Sequence, residues 1–157
     1  MKIKLIHIGK TNENFLIEGE REYFNRIQHY VSLERVEIKD IKNQKNLSFE
    51  EIKKLEGEKI ISLVSKDDLI FLLDDKGKQF TSKGFANFLQ DHFNYSKKNL
   101  VFIIGGAFGF SEEIYKIANR KISLSSLTFS HQMVRMIFLE QIYRTLTILK
   151  GEKYHHE

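Results

Sequence analysis

The chain has 157 residues and 41% hydrophobic content, enough for one substantial core, and no stretch approaches the roughly eighteen apolar residues that span a bilayer. Cysteine is absent, which excludes disulfides, thiolate metal sites and a cysteine nucleophile; proline is also absent, which leaves turn-making to Gly, Asn, Asp and Ser. The formal charge of +4 and pI near 9.1 favour a polyanionic partner, since each neutralised phosphate releases counterions, but so small an excess does not by itself establish RNA binding.

Residues 2–8 (KIKLIHI) alternate and are rich in Ile and Leu, predicting a strand that ends at Gly9. The apolar run is short and broken by Lys4 and His7, so no signal peptide is expected there. Asn12 or Asn14 is expected to cap a helix over 13–31, with Phe15, Leu16, Tyr23, Ile27 and Tyr30 on its packed side. A second alternating strand is predicted over 33–38, then a polar, mobile loop from Lys39 to Asn46. Ser48 with Glu51 forms a capping box ahead of a helix reaching about Ser65.

LIFLL at 69–73 is a continuous apolar run of strand length, to be covered on both faces, and DDKG at 74–77 reads as a turn. Thr81 or Ser82 caps a third helix to about Tyr95. LVFII at 100–104 is another wholly apolar strand, Ser111 and Glu113 open a short helix to about Ala118, and KISLS at 121–125 is the last strand. A final helix runs from His131 to Lys150, where Gly151 closes it. Strand and helix alternate throughout, which predicts one α/β domain over 1–157, with a mainly parallel sheet and helices on both faces.

Three segments have chemical potential. After the 100–104 strand comes Gly105-Gly106-Ala107-Phe108-Gly109, where a ligand could approach bare backbone; a tight strand-to-helix turn would need the same glycines. Neither G-x-G-x-x-G nor a P-loop is present, so a dinucleotide or nucleoside-triphosphate reading is poor. The second segment, Leu124-Ser125-Ser126-Leu127-Thr128-Phe129, offers main-chain hydrogen bonds between apolar walls, as an adenine ring requires. It also reads as an ordinary loop in which Thr128 or Ser130 caps the last helix.

The third segment is the last helix and its tail. Phe138, Ile142, Leu146 and Leu149 form one row, and Val134, Ile137, Gln141 and Ile148 another. A helix apolar on two sides needs two covers, and a homodimer supplies the second. Arg144 follows Glu140 by four residues, the spacing of a helical ion pair. His7, His29, His92, His131 and the adjacent His155 and His156 show no metal-ligand spacing, so no metal is expected.

Taken together, these segments resemble the ribosomal RNA large-subunit methyltransferase H family, pseudouridine N3-methyltransferases of the SPOUT superfamily. The resemblance rests on Leu73-Asp74 with Gly77-Lys78, Ile104-Gly105-Gly106 with Gly109, and Ser123, Ser125 and Leu127-Thr128-Phe129. It continues through His131, Arg135, Glu140-Gln141, Tyr143-Arg144 and the ending from Gly151 to His155, and so spans the whole chain. It implies a cytoplasmic enzyme whose C-terminal segment is threaded as a deep trefoil knot. It also implies S-adenosylmethionine held by Leu73, Gly105, Leu124, Ser125, Ser126, Leu127, Thr128 and Phe129. The implied substrate is a pseudouridine of large-subunit ribosomal RNA in the assembled ribosome. Within this frame His155 is expected to accept or relay the N3 proton, Tyr154 to position the base, and Arg144 to hold phosphate or developing negative charge. The chain departs from many relatives in having Ser130 where they have proline, and in ending His156-Glu157 where they have Arg or Lys.

Overall fold

A computed structural model describes residues 2–156; Glu157, one half of the divergent ending, lies outside the described residues. The element order is β1 (Ile3–Ile8), α1 (Asn14–Gln28), β2 (Leu33–Ile38), α2 (Phe49–Ile61), β3 (Leu69–Lys78), α3 (Ser82–Tyr95), β4 (Leu100–Ile104), α4 (Glu112–Ile117), β5 (Arg120–Ile122) and α5 (His131–Leu149). The strands form one sheet in the order β2-β1-β4-β3-β5, and every pairing is parallel, as the alternation predicts. In-register pairs such as Lys4↔Val101 and Leu72↔Ile103 place the carboxyl ends of the central strands at one edge.

Side-chain alternation divides the core into two layers. Ile3, Leu5, Phe71, Leu100 and Phe102 meet Ile27 of α1, Leu89 of α3 and Phe138 and Ile142 of α5. Ile6, Ile8, Leu72, Val101 and Ile103 face the other way, against Ile60 of α2 and Ile114 of α4. Both faces are therefore covered, which is why the 69–73 and 100–104 runs carry no polar residue. Among the described residues no helix is long and apolar enough to cross a membrane.

Capping follows local chemistry in most places. Ser48 and Glu51 form the expected reciprocal box, Thr81 accepts from the Gly84 amide, and Ser130 accepts from the Met133 amide. At the far end of α5, Gly151 takes φ 70°, its amide donates to Ile148 O and that of Glu152 to Thr147 O, the paired closure of a Schellman turn.

Several boundaries differ from expectation. Helix α1 is entered at Glu13 without a side-chain cap; the Asn12 amide instead donates to Gln132 Oε1, tying the loop to α5. Phe15 stands 59% exposed, outside the packed side assigned to it. Helices α1 and α2 stop at Gln28 and Ile61, short of residues 31 and 65, and β5 is Arg120–Ile122, not 121–125.

Residues 74–77 are not a chain reversal. Strand β3 runs on to Lys78, and Ile122 of β5 pairs with both Leu73 and Lys78, so the intervening residues bulge out of register. The Ser123 amide donates to Lys78 O and fixes the far side of the bulge. Gly77 is required where the two backbones meet: a Cβ there would lie 2.5 Å from Ile122 N and 2.6 Å from its carbonyl carbon. Gly77→Ala is expected to cost about 2 kcal/mol, roughly 5 °C in Tm by calorimetry, because rigid backbone must give way. An unshifted melt would show that β5 is free to move.

Candidate functional site

The bulge of β3, the glycine loop after β4 and the segment between β5 and α5 converge at the carboxyl edge of the sheet. Together they bound a cleft of about 490 Å³ that includes Leu73, Asp74, Gly105, Gly109, Phe129 and Val134. A smaller lobe of about 160 Å³ opens from it, sharing Leu73, Asp74, Phe129 and Val134 and adding Leu124, Ser125, Leu127 and Thr128. Of the eight residues expected at a cofactor, seven therefore line these two adjoining pockets. Ser126 does not: it lies outside this lining, and its Oγ accepts from Gln79 Nε2 at 2.9 Å.

The loop is held open by its own bonds. Ser123 Oγ donates to Ser125 O at 3.0 Å, and Ser125 Oγ accepts from the Leu127 amide at 2.9 Å. Leu127 is left 76% exposed as an apolar flap. At Gly105 a Cβ would press on the Phe110 ring at 3.1 Å, so glycine is what lets that ring pack there, and Gly109 turns the loop at φ 82°.

The cleft carries negative charge. Burial raises the Asp74 pKa, but hydrogen bonds from Tyr115 Oη at 2.6 Å and the Lys76 amide at 2.9 Å outweigh it, holding the carboxyl below its ordinary value. Burial, then this bond, pushes Tyr115 up to about 12, so it stays a donor. A fixed carboxylate beside a glycine floor suits a ligand with a cationic centre.

Behind the cleft α5 is anchored by a buried network. Arg135 is fully buried; its Nη2 donates to Ile8 O at 2.6 Å and its Nη1 to Thr11 Oγ1 at 2.8 Å. Thr11 Oγ1 donates to Glu20 Oε1, whose other oxygen accepts from Arg35 Nη2 at 2.7 Å, and Arg35 Nε donates to His7 Nε2 at 3.0 Å. His7 must then carry its proton on Nδ1, donated to Gly9 O at 3.0 Å. Burial, with Arg135 and Arg35 adding to it, lowers its pKa to about 3. Sequence reading matched Arg135 to a family pattern but did not see this network, whose members come from four separate segments.

Tyr154, His155 and Arg144 are brought together, but elsewhere. Glu140 is their hub: it accepts from Arg144 Nη2 and, at 3.0 Å, from Tyr154 Oη. The Arg144 guanidinium lies over the Tyr154 ring at 4.8 Å, and its Nη1 donates to His155 Nδ1 at 3.2 Å. That bond places the His155 proton on Nε2. Tyr154 is held well above its ordinary pKa by burial and by its bonds with Tyr23 and Glu140, so its phenol is a donor. His131, which lines the cleft, and Arg144 are thirteen residues apart on α5, about 20 Å along the helix axis. One chain thus carries two separate clusters of candidate residues.

Among the described residues no group of three or more His, Asp or Glu is placed to hold a metal ion.

Residues 1–155 match the family model described as a predicted SPOUT methyltransferase. A protein of Parabacteroides distasonis named ribosomal RNA large subunit methyltransferase H is 53% identical over 157 residues, covering the full length of both chains. Proteins of the same name from Flavobacterium johnsoniae (52% identical, 100% of both chains) and Christiangramia forsetii (51%, 99% of both) are similar throughout. A solved structure described as a probable methyltransferase from Bordetella pertussis has the same fold, with a TM-score of 0.55 at 9% identity over 92% of this chain and 94% of that one.

Proposed function

The chain belongs to the SPOUT methyltransferase family, and from that premise we propose that it methylates N3 of a pseudouridine in large-subunit ribosomal RNA, in the cytoplasm, with S-adenosylmethionine as donor. The observation that carries this reading is the pair of adjoining pockets at Leu73, Gly105 and the 124–129 loop. The smaller pocket, walled by Leu127 and Phe129, suits an adenine ring, and the larger one, with its glycine floor and ionised Asp74, suits the cationic remainder of the donor. In this reading the segment from β5 into α5 is threaded as a knot around the donor.

The bound donor would supply an electrophilic methyl on a sulfonium, so the protein's task is mainly alignment and charge control. Asp74 would face the positive centre, while Leu127 and Phe129 exclude water. Arg144 would contact RNA phosphate or the negative charge developing on the base, and Tyr154 would position the base through its ring and hydroxyl. His155, carrying its proton on Nε2, fits a donor or relay better than a first proton acceptor.

The separation of the two clusters supports a homodimer. Val134, Ile137, Gln141 and Ile148 are only half buried, and an antiparallel partner laid along this row would bring its tail cluster to the first protomer's cleft. Selectivity would come from the shape of the ribosomal site, with the assembled ribosome as the natural substrate.

The decisive experiment is mass spectrometry of large-subunit RNA from a strain lacking the gene. One methyl group is expected to be missing from a single pseudouridine and to be restored by the purified protein. Calorimetry should show binding of S-adenosylmethionine and of its demethylated product. Unchanged RNA together with no heat of binding would end the enzyme reading; binding without transfer to any particle would favour a non-catalytic ribosome-binding dimer, and transfer to tRNA a different substrate.

A further inference from the structure

A second cavity, of about 730 Å³, adjoins the cleft and shares Gly106, Phe108 and His131 with it. It opens between Ile8 at the end of β1 and Gly106 after β4. There the strand order changes direction, with β2 to one side and β3 to the other, the usual crevice for a ligand in an open parallel sheet. None of the residues assigned to the methyl donor is peculiar to this cavity.

Its wall contains Glu56, from the middle of α2. The residue is 4% exposed, its carboxyl makes no hydrogen bond or ion pair with the described residues, and it lines this cavity. A carboxyl so little exposed and without a protein partner is costly, and an apolar residue would serve packing better. Gly106 is what lets it reach the shared boundary: a Cβ there would lie 2.7 Å from Glu56 Oε1. At the rim Phe49 and Phe108 stack with centroids 4.1 Å apart, leaving Phe49 as an exposed aromatic face of the kind on which unpaired bases rest.

We propose that this cavity receives the target nucleobase and that Glu56 is a catalytic residue, accepting the proton of the base's imide nitrogen as the methyl is transferred. The assignment rests on the ribosomal RNA reading above. The N–H bond breaks and its proton passes to a Glu56 carboxylate oxygen. The freed electron pair forms the new N–CH₃ bond while the donor's C–S⁺ bond breaks, leaving a neutral thioether; the proton returns to solvent after product release. The charged and titratable groups facing this volume are Asp40 from the loop after β2, Lys45 from the next turn and His131 from α5, with Lys59 on α2 itself. Burial first, then Asp40, raises the Glu56 pKa to about 7 against the pull of Lys59. A base poised there is half ionised at neutral pH and strong enough to share an imide proton.

The test uses the full-length protein on ribosomal particles from a strain lacking its gene. Glu56→Gln is expected to slow single-turnover methylation about 100-fold or more, the scale of losing a positioned base. It should also abolish the rise in rate expected of wild type as pH passes roughly 7, and leave the Kd for S-adenosylmethionine within about threefold. Its melting temperature at pH 8 should equal or exceed that of wild type, because the amide removes a buried charge, and Glu56→Asp should recover part of the rate. A parallel loss of donor affinity would assign Glu56 to the donor's ammonium and overturn the proposal. An unchanged rate, an unchanged pH profile or a markedly lower melting temperature would overturn it as well. If wild type methylates no particle, the ribosomal RNA reading fails first; if wild type is active and Glu56→Gln equally so, only this residue's role falls.

Discussion

A chain ending at Gly151 is expected to bind S-adenosylmethionine nearly as well as the full protein, yet to methylate ribosomal particles about a thousandfold more slowly. Among the described residues, the cleft proposed for the donor draws none from beyond Val134. The truncation removes Tyr154 from its place against Tyr143, with ring centroids 4.8 Å apart, and removes His155 from Arg144. It also removes the Glu152 carboxylate that accepts from Tyr30 Oη at 2.6 Å. Those contacts are partly exposed, so the cost to stability should be about 2 kcal/mol or less and the protein should remain folded. Arg144→Ala separates the remaining role, because it leaves the tail covalently intact while removing the cation that Glu140 and His155 share. Single-turnover assays beside donor calorimetry make the distinction. Methylation at full rate by the truncated chain would remove Tyr154 and His155 from the mechanism.

Arg135→Met should be the most damaging single substitution for the fold, costing about 3–5 kcal/mol and lowering Tm by roughly 10 °C. Methionine fills much of the volume but leaves Ile8 O and Thr11 Oγ1 without their donor, and strips Glu20, itself 1% exposed, of a nearby cation. Because α5 also bears the cleft wall at Val134, donor affinity should weaken with stability, which it would not for a change in the tail. His7 sets the acid limit of the same network. Its folded-state pKa of about 3 lies below the ordinary 6.5, so the unfolded chain takes up a proton the folded one refuses. Stability from this group is complete above about pH 6.5 and is lost as pH falls toward 3. A melting temperature for Arg135→Met within 2 °C or so of wild type would mean that the network contributes register and not stability.

Most of the architecture could be read from periodicity, because strands covered on both faces carry uninterrupted apolar runs and α2, α3 and α5 have ordinary caps. The failures came where distant chain decided a local matter. DDKG has turn chemistry, but β5 approaches so closely at Gly77 that the segment bulges within a strand that continues to Lys78. Asn12 is a good capping residue, but the helix is entered one residue later at Glu13, without a side-chain cap, where the Asn12 backbone N–H donates to Gln132 Oε1 on α5. The 124–129 loop stood out because small hydroxyl and apolar residues mix there; what could not be read is that the Ser126 hydroxyl turns to Gln79 while its neighbours line the pocket. Glu56 was invisible, since a glutamate amid FEEIKKLEGEKII has the look of solvated helix surface. Only the placement of Gly106 beside it, fifty residues later, reveals a carboxyl turned into the cavity at the end of β4.

The first strand lies near the middle of the sheet, between β2 and β4, and β4 is the central partner for both halves. While the chain is being synthesised, β1 and β2 can associate early, but the other edge of β1 must wait until Leu100–Ile104 has emerged. Helix α5, which closes one whole layer through Phe138 and Ile142, emerges after every strand of the sheet. A nascent chain therefore holds an open, strongly apolar strand edge until β4 appears, the condition under which parallel sheets fold slowly and draw on chaperones. Native topology becomes available only once α5 is free to pack.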